Sequence, residues 1–218
     1  MTPAALDSAR RKAPPLLVAK LGGSLAGGHE LSAWLAALDR FSGPLILVPG
    51  GGAFADTVRT MQGKMRCDDA AAHHMALLAM QQYGVALASL WPRLRGAATP
   101  ATIRHALRRN EVACWSPAEM VLGANLPKSW EVTSDTLSAW LATQLGAKKL
   151  LLIKSTDMGS KLHVGVGELV MAGLVDPFFP QYAAKSGAEI FIAGPGWLAS
   201  AASLLVQGHV PGTRVRLT

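Results

Sequence analysis

The residues able to do chemistry in this chain gather where apolar runs end in glycine. Leu16 to Ala19 has the unbroken hydrophobic character of a buried strand, and Lys20-Leu21-Gly22-Gly23-Ser24 follows at once. An ammonium at the end of such a strand needs an anion to meet it. Glycines there let the backbone approach a ligand with no Cβ in the way. The Lys20 ammonium, the Ser24 hydroxyl and the loop amides of Gly22 and Gly23 would make a phosphate-sized anion site. A second transition of this kind lies roughly thirty residues on, where Leu45 to Val48 ends in Pro49-Gly50-Gly51-Gly52. A strand followed by two glycines is also an ordinary turn. Two such transitions, one with three consecutive glycines, ask for a ligand.

Two later segments add polar groups of the same kind. Thr133-Ser134-Asp135-Thr136 stands at the head of a helix over Asp135 to Leu145, with Thr133 or Ser134 as its N-cap. Asp135 there is equally a first-turn carboxylate favoured by the helix dipole. The apolar run Lys149 to Ile153 ends in Lys154-Ser155-Thr156-Asp157-Met158-Gly159. Ligands in open α/β sheets collect at such carboxyl ends.

The elements that must position these groups alternate. Helical spacing over Glu30 to Phe41, Ala53 to Met61 and the long Asp68 to Trp91 separates buried strand runs. Thr99-Pro100 and Ser116-Pro117-Ala118-Glu119 read as helix starts, the second with a capping box closed by Glu119. Glu111 to Trp115, Glu189 to Ala193 and Arg214 to Leu217 read as further strands. Asp176 to Lys185 and Trp197 to Val206 read as helices. The pattern predicts a three-layer α/β/α sandwich around a mainly parallel sheet over 16–218, after an N-terminal tail over 1–15. His73 and His74, adjacent on the long helix, point about 100° apart and cannot share one metal, so they read as packing or surface residues.

Composition narrows the class. The chain has 218 residues, 50% hydrophobic, 16% charged, with a formal net charge of +7. The positive charge suits an anionic ligand such as a nucleotide. Its basic residues are scattered rather than interleaved with aromatic rings, which argues against nucleic acid. No apolar run reaches membrane-span length and no signal-peptide pattern opens the chain. Cys67 and Cys114 lack metal or redox spacing and read as reduced, buried thiols of a cytoplasmic protein. The low charged fraction points to a homo-oligomer.

With these segments in order, the sequence resembles the amino acid kinase family. Ala19 to Ser24, Pro49 to Gly52 and Thr133 to Thr136 carry the likeness, and Leu150 to Gly159 sits where the family has its nucleotide-side loop. The resemblance implies phosphoryl transfer from ATP with Mg2+, with no protein metal ligands assigned. It implies catalytic roles for Lys20 at the transferring group and for Asp135 as organiser of the lysines. It implies nucleotide contacts at Gly22, Gly23, Ser24, Ser155, Asp157 and Gly159, and acceptor contacts at Gly50, Gly51, Gly52, Thr133 and Ser134.

The sequence departs from the family in its later glycine-rich segment, where Lys154, Lys161 and Lys185 compete as second catalytic lysine. Lys154 is favoured because it ends a buried strand. Pro49 precedes the three glycines where acetylglutamate kinases carry histidine. Ala53-Phe54-Ala55-Asp56 follows them where isopentenyl phosphate kinases place one. Pro49 to Arg59, with Trp130 to Thr136, is most similar to small kinases of one-carbon cofactor synthesis that phosphorylate an aminomethylfuran-methyl phosphate to its diphosphate. That likeness implies Asp56 at the substrate ammonium and Arg59 at its phosphate; both are equally ordinary exposed helix residues. Carboxylate or nucleoside monophosphate acceptors, or a non-catalytic nucleotide binder, remain the alternatives.

Overall fold

The computed structural model describes residues 14–157, 159 and 162–217. Most of the expected tail, Met158 and Lys161 lie outside the described residues. The described chain forms an eight-stranded sheet. In chain order the strands are β1 (Leu17–Leu21), β2 (Leu45–Pro49), β3 (Leu94–Ala97), β4 (Val112–Trp115), β5 (Lys149–Ile153), β6 (His163–Gly165), β7 (Glu189–Ala193) and β8 (Thr213–Arg216). Their spatial order is β3-β4-β2-β1-β5-β7-β8-β6, parallel except where β7 meets β8. β1 is central, with Lys20 level with Val48 on one side and Leu152 on the other. The order reverses between β1 and β5, so a crevice opens at their carboxyl ends.

The helices are α1 (Glu30–Asp39), α2 (Gly52–Met65), α3 (Asp69–Leu90), α4 (Pro100–Arg108), α5 (Ala118–Leu122), α6 (Ser134–Leu145), α7 (Val166–Met171), α8 (Phe179–Ser186) and α9 (Leu198–Val206). They cover both faces, because each central strand is apolar on both sides. Val18, Ile46, Val48, Leu150 and Leu152 join the core under α6. Leu17, Ala19, Leu21, Leu47 and Leu151 join the opposite core under α1 and α9, where Trp34 is fully buried. α3 serves both, with Leu77 and Met80 in the first core and Tyr83 and Leu87 in the second. The three-layer sandwich is the one the alternation predicts.

Local differences have local causes. Thr99 caps α4 through the Thr102 amide as expected, and Thr102 returns the bond. Ser116 makes no such cap: α5 begins at Ala118 with Pro117 before it and no side-chain cap bond. α8 begins at Phe179 rather than Asp176, whose carboxylate accepts from the Phe179 amide. β3 lies at the sheet edge, where Arg95 and Gly96 interrupt its apolar pattern, and β6 is three residues long. Neither carries a legible strand signal. Cys114 is buried, its thiol pushed up to about 12 by desolvation. Cys67 is only half-buried, because it lies between α2 and α3 rather than in a core.

Candidate active site

Strand alternation aims Lys20. In β1, Val18 faces the core under α6 while Leu17, Ala19 and Leu21 face the other way. Lys20 shares the side of Val18, two residues away, and so meets the N-terminus of α6. Thr133 caps that helix, its hydroxyl accepting from the Asp135 amide at 3.3 Å. Asp135 in the first turn then reaches both lysines. Lys20 Nζ lies 2.8 Å from Asp135 Oδ1. Lys154, one residue beyond β5, donates to both carboxylate oxygens at 2.8 and 2.7 Å.

The three groups are almost wholly shielded, with side-chain exposures of 6% for Lys20, 6% for Asp135 and 13% for Lys154. Burial alone would raise the Asp135 pKa, but the two ammoniums outweigh it and hold the carboxyl below its usual range. Lys154 goes the other way. Desolvation first, then repulsion from Lys20, bring it down to about 8 against the attraction of Asp135. Two cations share one carboxylate, so the cluster carries a net positive charge at neutral pH. Each ammonium has three donors, and Lys20 spends one on Asp135. The arrangement suits a polyanion arriving at the crevice.

Lys154 protonation gives a prediction. Affinity for a polyphosphate weakens as pH rises through about 8, because the ammonium that attracts the anion is lost there. Titration calorimetry with ATP at pH 7 and pH 9 reads this, and Lys154→Arg flattens the dependence because guanidinium stays charged. An unchanged wild-type affinity at pH 9 would remove Lys154 from the anion site. Of its competitors, Lys185 is exposed on α8 beside the Tyr182 ring, with its ammonium 5.4 Å from the ring centre.

The two glycine loops touch backbone to backbone. The Gly22 amide donates to Ile153 O and the Gly50 amide to Leu21 O, both at 2.9 Å, extending the sheet into the loops. A Cβ on Gly23 would run into the Gly52 amide nitrogen, and Gly52 itself has φ +53. Gly23→Ala is therefore expected to push the loops apart and reduce any phosphoryl-transfer rate at least tenfold, with a lower melting temperature. A fully active, equally stable variant would mean that the loops tolerate separation. Ser24 Oγ and Ser155 Oγ lie 2.8 Å apart and tie the first loop to the segment after β5.

A cavity of about 290 Å³ opens beside this junction. Gly23, Ser24, Gly51, Gly52, Thr133 and Ser134 line it together with Asp56 and Arg59 of α2. Arg59 and Asp56 are exposed at its rim. The Arg59 guanidinium lies 4.6 Å from the centre of the Trp130 ring. The Trp130 indole N–H donates to Gln62 at 2.6 Å, and Gln62 donates to Asp69 at 2.8 Å. Asp157 and Gly159 lie apart from this cavity. The Gly196 amide donates to both Asp157 oxygens at 3.0 and 2.9 Å, and both residues line a second cavity of about 420 Å³ with Trp197 and Ser200.

Three residues here escaped the sequence reading. Asp176, buried, accepts from the Thr133 and Thr136 amides and hydroxyls, fixing the head of α6 from forty-odd residues away. His73 is buried, as its packing role has it, and it also lines the first cavity, as does Trp130. The pairing of Asp176 with Thr133 has no local signal. The helical position of His73 gave only its face.

Comparison with known proteins bears on the family and the fold. A profile described as the amino acid kinase family matches residues 15–158. The [5-(aminomethyl)furan-3-yl]methyl phosphate kinase of Methanocaldococcus jannaschii is 23% identical over 145 residues, covering 64% of this chain. The match spans 66% of that relative's length, just under two thirds. Among solved structures, uridylate kinase from Archaeoglobus fulgidus superposes with a TM-score of 0.66 at 13% identity, over 93% of this chain and 100% of that one. An isopentenyl phosphate kinase superposes with a TM-score of 0.63 at 14% identity, over 91% and 99%. The chain belongs to the amino acid kinase family, a class of phosphotransferases.

Among the described residues no three His, Cys, Asp or Glu side chains cluster as a metal site. Asp135, the carboxylate beside the lysines, is committed to both of them. The donor set fits a polyphosphate. Among the described residues no helix is long and apolar enough to cross a membrane.

Proposed function

We propose that this chain is an ATP-dependent kinase of a small phosphorylated acceptor, [5-(aminomethyl)furan-3-yl]methyl phosphate. The acceptor phosphate oxygen attacks the γ-phosphorus of ATP, the bond to the β–γ bridging oxygen breaks, and ADP and a diphosphate ester leave. The observation that carries the reading is the buried Lys20–Asp135–Lys154 cluster at the carboxyl ends of β1 and β5, beside a cavity lined by both glycine loops. The M. jannaschii relative supports the choice of acceptor.

Phosphoryl transfer asks little covalent chemistry of a protein. It asks for positioned cations and N–H donors around oxygens that gather charge. Lys20 faces the transferring group with the donors Asp135 leaves it, and Lys154 faces the nucleotide side. Gly22, Gly23, Ser24 and Ser155 hold nucleotide phosphates, with Asp157 and Gly159 further along the same side. Gly50, Gly51, Gly52, Thr133 and Ser134 hold the acceptor phosphate, and Arg59 adds charge at the rim. Mg2+ carried by ATP supplies further neutralisation of the phosphates.

The test is phosphorus NMR of the protein with ATP, Mg2+ and a panel of phosphate monoesters that includes this one. A diphosphate doublet matched by ADP is the expected result. ATP untouched across the panel, despite measurable ATP binding, would overturn the reading in favour of a carboxylate acceptor or a non-catalytic binder. The reading includes a cytoplasmic homo-oligomer. Leu78 and Val85, seven residues apart and so on one face of α3, stand exposed at 42% and 74%, an apolar surface suited to a second copy. Sedimentation at micromolar concentration is expected to give at least twice the chain mass, and a monomer would exclude it.

A further inference from the structure

The Trp130 indole, in the wall of the first cavity, is held at its face and at its edge. Arg59 and Gln62 are three residues apart on α2 and so share one side of that helix. Both meet this ring. The Arg59 guanidinium carbon lies 4.6 Å from the ring centre, inside cation–π range. The indole N–H donates to Gln62 Oε1 at 2.6 Å, and Gln62 Nε2 donates to Asp69 Oδ1 of α3 at 2.8 Å. An indole nitrogen only donates and an ionised carboxylate only accepts, so these two partners fix the orientation of the Gln62 amide. Trp130 is half-buried and stands three residues before Thr133, which Asp176 holds. The ring therefore braces α2 and α3 against the segment that enters α6.

What the brace holds is Arg59. This side chain lines the cavity with Gly23, Gly51 and Gly52 of the two loops. Among the described residues its guanidinium pairs with no carboxylate, although Asp56 lies one turn away on α2. An exposed arginine otherwise samples many rotamers, and ordering it on binding weakens affinity. Packed on the ring, Arg59 is restricted before a ligand arrives, and its charge stays available to an anion. On the reading of this cavity as the site of a phosphorylated acceptor, we propose that Trp130 is a positioning residue. It holds the Arg59 guanidinium at the rim, where Arg59 binds the phosphate monoester. Trp130 acts through Arg59, and Gln62 and Asp69 act through Trp130.

The experiment is a double-mutant cycle on binding. The full chain, without ATP, is titrated calorimetrically with [5-(aminomethyl)furan-3-yl]methyl phosphate as wild type, Arg59→Gln, Trp130→Leu and the double variant. Each single change is expected to weaken binding roughly tenfold, the scale of a charge-assisted hydrogen bond. The double variant is expected to lose about as much as Arg59→Gln alone, because one residue acts through the other. Trp130→Phe keeps a ring under the guanidinium and is expected to stay within about threefold of wild type. ATP affinity is expected to hold in every variant. NMR of the wild type needs no variant: the Arg59 side-chain protons are shifted upfield by the ring before and after the ester is added, and the Arg59 Nε signal moves on its addition. A double variant weakened by roughly 100-fold, Trp130→Leu at wild-type affinity, or Trp130→Phe as weak as Trp130→Leu would overturn the proposal. So would an equal loss of ATP affinity, an unmoved Arg59 Nε, or no binding of the ester. A non-additive cycle without ADP formation in the phosphorus NMR experiment would leave Trp130's role standing and remove the kinase reading alone. ADP and diphosphate formed by a protein whose cycle is additive would do the reverse.

Discussion

Lys20→Met is expected to lower kcat by about 10³-fold, roughly 4 kcal/mol of barrier, while the protein stays folded. The size follows from where the ammonium sits. Lys20 is 5% exposed at the end of β1, with one bond to Asp135 and donors left for a ligand. Water does not replace a fixed donor in so shielded a place, and low effective dielectric makes that donor strong. Folding should survive because Asp135 keeps both of its bonds to Lys154. Methionine matches the lysine stem and adds apolar volume beside Val48 and Leu152. The measurement is a coupled ADP-release assay beside a thermal melt. Wild-type turnover in the variant would remove Lys20 from the transferring group.

Asp135→Asn is expected to do the opposite to stability, removing about 3 kcal/mol. It leaves two buried ammoniums facing each other with a neutral amide between them. For a chain of this size that corresponds to a melting temperature lower by about 10 °C. ATP should raise the melting temperature of the variant more than that of wild type, because its phosphates replace the missing counter-charge. Turnover should also be lost, since neither lysine is held in place. The same carboxylate sets a pH limit in the wild type. Its folded pKa is depressed, so its contribution is present above the ordinary carboxylate value and is lost as pH falls through the lower folded value. A variant as stable as wild type at pH 7 would mean that the lysines find other partners.

Lys185 and Lys154 show the limit of reading a lysine from sequence. Both follow apolar stretches, and sequence favoured Lys154 only because its stretch is a strand. The structure puts Lys154 on Asp135 and Lys185 at an exposed position of α8. Asp157 shows the reverse. It lies three residues beyond Lys154, yet its carboxylate takes the Gly196 amide and faces a different cavity. A loop after a strand changes direction within a residue or two, and nothing local states which way.

What the sequence alone determined was the set of strands that end in glycine or lysine, and from it the sandwich and the crevice. Buried parallel strands are nearly continuous apolar runs, and a Lys20 or a Gly50-Gly51-Gly52 at such an end is a local, one-dimensional signal. Tertiary structure alone decided the partners: Asp135 under two lysines from different strands, Asp176 gripping Thr133 and Thr136, and His73 on the wall of the cavity beside the glycine loops. Those contacts join residues tens of positions apart. They depend on how α3 and α6 pack against the sheet, which no short-range pattern encodes.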